Sequence, residues 1–293
     1  MSNLNLKKIS EALFLAQAAL LNNNKNNDNH TESKREAEYL LSYSLGWSKT
    51  KLIAYPDYYL TPEEFEKFSD ILTRRTSGEP MAYIKKSKSF WNIDLEIDNS
   101  VLIPRPETEL LVEKILNLNL GVHAKILDLG TGSGAIAIAL GVNQPNWTIV
   151  AIDLSKQALD IAKKNAQKYD LKHIEFYLGS WFNALPLNSV KFDIIVSNPP
   201  YIDPASDYLS LGDVQFEPIQ ALVSKNHGLA DLDYIIMHAK KYINQDGWLL
   251  VEHGYDQAAA VQAMFLKAGF IKIQTLKDIQ GHNRVTYGQA INL

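Results

Sequence analysis

Five short apolar runs, separated mostly by helical stretches, occupy the last two-thirds of this chain, and that alternation leaves few possible folds. The runs are Lys125–Leu129, Thr148–Ile152, Ile174–Leu178, Ile194–Ser197 and Trp248–Glu252. Lys156–Lys168 and Gln257–Lys267 have helical periodicity, and Ile271–Leu276 and Val285–Ile291 read as two further strands. Strands that alternate with helices build a mostly parallel sheet covered on both faces, with ligands at the carboxyl ends of the strands. The expected class is α/β. Function is therefore sought in the loops that leave those strand ends.

The first part of the chain has a different period. Leu6, Ile9, Leu13, Ala16 and Leu20 share one helix face, and the asparagine-rich stretch Asn22–Asn29 reads as a solvated loop. Ser33 with Glu36 reads as a capping box for a second helix, which buries Ala37, Leu40, Leu41 and Leu45 and stops at Gly46. Thr61-Pro62-Glu63-Glu64 starts another, ending near Gly78. Beyond it Ile93, Leu95 and Ile97 alternate with acids as a half-buried strand does. The turn Asp98-Asn99-Ser100 then suggests Val101–Ile103 as the partner of a hairpin.

Composition removes several chemistries. The 293 residues include no cysteine, so disulfides, thiolate nucleophiles and cysteine metal sites are excluded. The seven histidines form no ligand pair of the H-x-x-x-H kind, and His253 reads as a packing or loop residue; no metal is expected. A formal net charge of -4 gives no global attraction for phosphate backbones, although Lys85, Lys86 and Lys88 form a local basic patch. No apolar run reaches the length of a membrane span and the start lacks signal-peptide features, so a cytoplasmic location is expected.

The loops after the strands carry the chemistry. Asp128-Leu129-Gly130-Thr131-Gly132-Ser133-Gly134 is a glycine turn opening a helix near Ala135. Its spacing also suits a dinucleotide fingerprint, which tolerates alanine at position 135. Asp128 argues otherwise: a carboxylate there repels a pyrophosphate, but attracts a cationic ligand or braces the turn. Asp153 ends the second strand, where it accepts two ribose hydroxyls or else caps a helix, a role Ser155 can already fill. Gly179-Ser180-Trp181 follows the third strand, where Trp181 either lies beside an adenine or belongs to the core.

Phe192 to Tyr201 reads F-D-I-I-V-S-N-P-P-Y. Two prolines fix φ and carry no N–H, so Pro199 and Pro200 end the strand and freeze the backbone. They leave a carboxamide, Asn198, on one side and an aromatic ring, Tyr201, on the other. The Asn198 side-chain oxygen and the Pro199 carbonyl can accept the two hydrogens of a planar NH2 group while Tyr201 covers a flat face, although Tyr201 can equally pack. The bland alternative is a strand-to-loop turn. Taken in order, the four loops point to a methyl donor such as S-adenosylmethionine beside an amine-orienting clamp.

With these residues in view, the chain resembles the HemK/PrmC family, the release factor glutamine methyltransferases. Gly78-Glu79-Pro80-Met81-Ala82-Tyr83, Leu102-Ile103-Pro104-Arg105-Pro106-Glu107-Thr108-Glu109, Ile126 to Gly134, Ser197 to Asp203, Phe216-Glu217-Pro218, Glu252-His253-Gly254 and Asn283-Arg284-Val285 carry the resemblance. It implies a class I (Rossmann-like) seven-stranded methyltransferase domain at 105–293, preceded by a small helical substrate-recognition domain at 1–80 and a β-hairpin linker at 81–104. It further implies S-adenosylmethionine as cofactor and, as partner and substrate, the glutamine of the Gly-Gly-Gln loop in class-I peptide chain release factors. Asp128, Gly130, Thr131, Gly132, Ser133, Gly134, Asp153, Ser180, Trp181 and Asn198 are then expected at the cofactor. Asn198, Pro199, Pro200, Tyr201 and Arg105 are expected at the substrate, with Asn198, Pro199 and Tyr201 as the catalytic set. The competing expectations are an amino-methyltransferase of nucleic acid, a non-catalytic cofactor sensor, and a dehydrogenase.

Overall fold

The computed structural model describes residues 7–23, 30–186 and 191–291 of the chain. The chain divides into two compact units, Met1–Ile84 and Lys85–Leu293.

The first unit is helical, with helices at Ile9–Asn23, His30–Leu45, Lys49–Ala54 and Pro62–Thr76. Ile9, Ala12, Ala16, Leu20, Leu40, Leu41, Leu52 and Phe68 form its core. The start signal at Thr61 is a full capping box: Glu64 N–H donates to Thr61 Oγ1 at 3.2 Å, and Thr61 N–H donates back to Glu64 Oε2 at 2.9 Å. The box read at Ser33 and Glu36 is not formed. Helix begins at His30, so Ser33 lies buried inside it, its hydroxyl donating to the His30 carbonyl, while Glu36 pairs with Arg75 at 2.5 Å. A basic partner 39 residues away outcompetes a local cap for that carboxylate. Of the asparagine-rich loop, residues 24–29 lie outside the described residues, and the first helix extends to Asn23.

The second unit opens with a hairpin shifted from its expected place. Strand β1 (Ser87–Phe90) pairs antiparallel with β2 (Ile93–Glu96), and Val101–Ile103 is not its partner. The reason lies on both sides of the Asp98 turn. Ile97 N–H donates to the Lys86 carbonyl, extending the β1–β2 ladder, whereas Ile103 N–H donates to the Glu217 carboxylate from a distant loop.

The remaining strands, β3 (Lys125–Leu129), β4 (Thr148–Asp153), β5 (Ile174–Leu178), β6 (Phe192–Ser197), β7 (Ile243–Glu252), β8 (Phe270–Lys277) and β9 (Asn283–Ala290), form one sheet in the order β5-β4-β3-β6-β7-β9-β8. β3 to β7 run parallel, and β9 is antiparallel to both neighbours. The parallel strands are covered on both faces, so Ile126, Leu127, Leu129, Ile194, Ile195, Val196, Leu249, Leu250 and Val251 are all fully buried. The chain leaves the sheet centre through β4 and β5, then returns to the other side of β3 with β6, creating a switch point between β3 and β6. Register levels the strand ends there. Leu129 lies opposite both Ile152 and Ser197, Asp153 opposite Leu178, and Ser197 opposite Val251. The next residues, Gly130, Gly179, Asn198 and Glu252, therefore emerge with Asp153 along one edge. Helices Glu109–Leu116, Ala135–Asn143, Lys156–Lys168, Ala230–Ala239 and Ala258–Lys267 complete this unit. No helix among the described residues is long and apolar enough to cross a membrane.

Candidate active site

Two cavities open along that edge. The first, about 240 Å³, is lined by Gly130, Gly132, Asp153, Ser180, Trp181, Asn198 and Pro200, among others. The second, about 410 Å³, is lined by Arg105, Asn198, Pro199, Tyr201, Gln257 and Arg284, among others. Leu102, Asn198 and Ala221 belong to both walls. The Asn198 side chain thus stands where the two spaces meet.

Backbone geometry shapes the first cavity. Gly134 caps the helix Ala135–Asn143 at φ 85°, and a Cβ there would come within 2.7 Å of Ile138 Cδ1. That left-handed position favours glycine. A Cβ on Gly132 would instead meet nothing within 4 Å and project into open space. Asp153 braces the turn from the next strand: Gly132 N–H donates to its Oδ2 and Ser155 N–H to its Oδ1, each at 2.8 Å. Burial raises the Asp153 pKa, against the pull of those two N–H groups. Ser155 caps the following helix through the Ala158 N–H, so Asp153 is left facing the cavity. Trp181 lies against Gly130, and its Nε1 donates to Asp231 Oδ1 at 3.1 Å. Asp231, absent from the sequence-based set, is itself tied to Ser224. The lining of this cavity contains two aspartates and neither lysine nor arginine.

Not every expected cofactor residue reaches that space. Asp128 is 0% exposed beneath the turn, where Thr131 Oγ1 donates to its Oδ2 at 2.7 Å. Its Oδ1 has no partner among the described residues, and burial pushes its pKa up to about 7. Ser133 is buried as well, its carbonyl accepting from Asn165 Nδ2. Asp128, Thr131, Ser133 and Gly134 stand behind the lining, whereas Gly130, Gly132, Asp153, Ser180, Trp181 and Asn198 form it.

The second cavity is built from side chains that converge from distant segments. Arg105 is held by the buried carboxylate of Glu217, whose other oxygen accepts the Ile103 N–H at 3.1 Å. The Tyr201 hydroxyl donates to Glu252 Oε1 at 3.1 Å, and Asn198 Nδ2 donates to Thr108 Oγ1 at 3.1 Å. Gln257 Nε2 donates to the Tyr201 carbonyl at 3.0 Å and to the His227 carbonyl at 3.2 Å. Asn226, His227 and Gly228 all take left-handed backbone angles, and a Cβ on Gly228 would fall 2.0 Å from the Tyr201 carbonyl oxygen. Only glycine lets these two loops meet. His253 is buried between Thr286 Oγ1 and the Gly254 carbonyl, with its pKa lowered by burial. It is packed inside the fold, as its sequence position suggested. Among the described residues no cluster suits a metal ion.

Comparison with known proteins agrees with this division. Residues 15–85 match the family described as the PrmC N-terminal domain, and residues 120–286 match a methyltransferase domain family. The release factor glutamine methyltransferase of Vibrio cholerae is 44% identical over 254 residues, covering 87% of this chain and 88% of that one. The chain belongs to the release factor glutamine methyltransferase family. The Escherichia coli release factor glutamine methyltransferase is 41% identical over 256 residues, 87% of this chain and 92% of the other. A methyltransferase from Pyrococcus furiosus shares the fold alone, with a TM-score of 0.54 at 15% identity over 76% of this chain and all of that one. A member of the release factor glutamine methyltransferase family needs a methyl donor and an acceptor side by side. Two adjoining cavities that share Leu102, Asn198 and Ala221 lie along the sheet edge of this chain.

The sequence reading missed Thr108, Asp231, Glu252 and Gln257. Thr108 and Glu252 lie in segments that carry the family resemblance, but neither was placed at the site.

Proposed function

We propose that this enzyme transfers a methyl group from S-adenosylmethionine to the side-chain amide nitrogen of the glutamine in the Gly-Gly-Gln loop of class-I peptide chain release factors. The observation that carries the proposal is Asn198, shared by the walls of both cavities. The first cavity suits the cofactor. It is acidic and lacks cationic side chains, which favours a phosphate-free, positively charged donor over a dinucleotide. Gly132 would leave room for its methionine part, Asp153 would accept from its ribose, and Trp181 with Ser180 would border its adenine. Asp128 and Thr131 would hold the turn from behind. When bound, S-adenosylmethionine supplies a methyl group made electrophilic by its sulfonium.

The residues of the second cavity would present the acceptor. An amide nitrogen is a weak nucleophile because its lone pair is delocalised into the carbonyl. Asn198 Oδ1 and the Pro199 carbonyl would accept its two hydrogens and turn that lone pair toward the methyl. Tyr201 would cover the flat face, and Pro200 would fix the backbone between the two spaces. Arg105, anchored by Glu217, would contact the flanking substrate. Holding both partners in line at near-attack distance contributes about 7–11 kcal/mol. No strong base is required, since an N-methylated amide cation is acidic enough to release its proton to water.

The test is to incubate the protein with labelled S-adenosylmethionine and a release factor, then map the methyl group by peptide mass spectrometry. A factor with the loop glutamine changed to alanine runs beside it, with DNA and ribosomal RNA as alternative acceptors. Label on that glutamine, absent from the variant factor, is expected. Label on nucleic acid alone overturns the substrate and keeps the clamp.

A further inference from the structure

Trp181 is held in a way that its neighbours along the chain do not explain. It opens the Trp181–Ala184 turn with φ 47°, a left-handed angle that a bulky residue rarely adopts. Such an angle persists where surrounding contacts over-determine it. Two contacts grip the indole, one at each end. At the benzo end the ring lies against Gly130, where a Cβ would come within 3.3 Å of Cζ3 and 3.6 Å of Cη2. At the other end Nε1 donates to Asp231 Oδ1 at 3.1 Å. Asp231 is itself fixed: its N–H donates to Ser224 Oγ at 3.0 Å, and the Ser224 hydroxyl donates to its Oδ2 at 2.5 Å. An indole N–H and a backbone N–H can only donate, so neither of those two contacts can be reversed. Ser224 is buried, and its own N–H is tied to the Ile202 carbonyl at 3.0 Å. An acid in the first turn of the helix Ala230–Ala239 is favoured by the macrodipole wherever its side chain points. That effect does not explain why the side chain turns to a tryptophan 50 positions earlier, in the wall of the first cavity.

We infer that Asp231 is a positioning residue of the first cavity: it fixes the plane of the Trp181 indole against Gly130, and with it the wall that the adenine of the methyl donor meets. The inference rests on the proposed reading of that cavity as the S-adenosylmethionine site and deepens it. Asp231 acts through Trp181. A ring held at both ends is a preformed wall, so binding does not bear the entropy of ordering it. What the indole needs from position 231 is an acceptor oxygen. An amide supplies one as well, with Oδ1 facing the indole and Nδ2 donating to Ser224 Oγ, whereas a methyl group supplies none.

Calorimetry of S-adenosylmethionine binding to the full chain tests it, with Asp231→Ala, Asp231→Asn, Trp181→Phe and the double variant that combines Asp231→Ala with Trp181→Phe. Asp231→Ala is expected to raise the dissociation constant about tenfold, the scale of one hydrogen bond to a charged group. Asp231→Asn is expected to recover most of that loss. Phenylalanine lacks the indole N–H, so adding Asp231→Ala to Trp181→Phe is expected to weaken binding no further. Wild-type affinity in Asp231→Ala overturns the inference, as does an Asp231→Asn variant no better than alanine. A double variant in which the two losses simply add also overturns it, because that is the result of a role independent of Trp181. Should Asp231→Ala fail to fold, wild-type affinity in Trp181→Phe overturns it instead. A wild-type protein that binds no S-adenosylmethionine overturns the reading of the cavity as well, whereas wild-type binding with unaffected variants overturns this inference alone.

Discussion

The glycine turn after β3 and the Asn-Pro-Pro-Tyr segment after β6 emerge side by side from the same sheet edge, yet they are built in opposite ways. The first is made of backbone. Gly132 N–H and Ser155 N–H converge on Asp153, and the residues concerned lie within 26 positions of one another along the chain, from Gly130 to Ser155. The second is made of side chains drawn from afar. Asn198 reaches Thr108 across 90 positions, Tyr201 reaches Glu252 across 51, and Gln257 returns to Tyr201 across 56. A cradle of local backbone can be specified by a short motif. A site assembled from side chains of distant segments needs hydrogen-bond partners that only folding brings together.

That contrast can be broken at each end. The largest effect is expected at Asn198→Ala: turnover falls by about 100-fold or more, the scale of losing one preorganised hydrogen bond to a reacting group. Donor affinity is retained, and steady-state kinetics with calorimetry separates the two; a wild-type rate in this variant would remove Asn198 from the mechanism. Asp153→Ala should do the reverse. With the proposed ribose acceptor lost and two N–H groups stripped of their partner, the S-adenosylmethionine dissociation constant should rise by about 10- to 100-fold, as for hydrogen bonds to charged groups. Unchanged affinity would take Asp153 out of the site.

The pH dependence of stability sharpens the comparison further. Burial pushes Asp128 up to about 7, so between the ordinary carboxylate range and pH 7 the folded chain keeps a proton that the unfolded chain has released. Stability from this group is full at low pH and is lost as pH rises toward 7. Asp128→Asn, neutral in both states, should lessen the fall in unfolding free energy between pH 5 and pH 7.5 by roughly 2 kcal/mol, followed by urea titration. An equal fall in both proteins would show that Asp128 titrates normally. The smallest effect belongs to the helical unit. Thr61→Ala should cost about 1 kcal/mol through its lost cap and leave donor affinity untouched.

Legibility followed the same division. Thr61 and Ser155 were readable as caps because cap and partner lie three residues apart. Ser33 misled for want of tertiary information: Glu36 had a better partner in Arg75. The hairpin was misplaced for a similar reason, since Val101–Ile103 looks like a strand until Glu217 takes the Ile103 N–H. Asp128 shows the limit most clearly. Its place at the end of β3 was plain, but its side chain lies beneath the turn, out of the first cavity.

By itself the sequence determined the period of the sheet strands and their main helices, the order of loops at the strand ends, and so the parallel sheet and the family. Those properties depend on neighbours along the chain: apolar spacing selects strand or helix, glycine permits the turn, and paired prolines end β6. Tertiary structure alone decided which way the chemistry faces. Register levelled Gly130, Asp153, Asn198 and Glu252 on one edge, and folding brought Thr108 against Asn198. The physical reason is that a hydrogen bond is directional and short, so its partners are fixed by position in space.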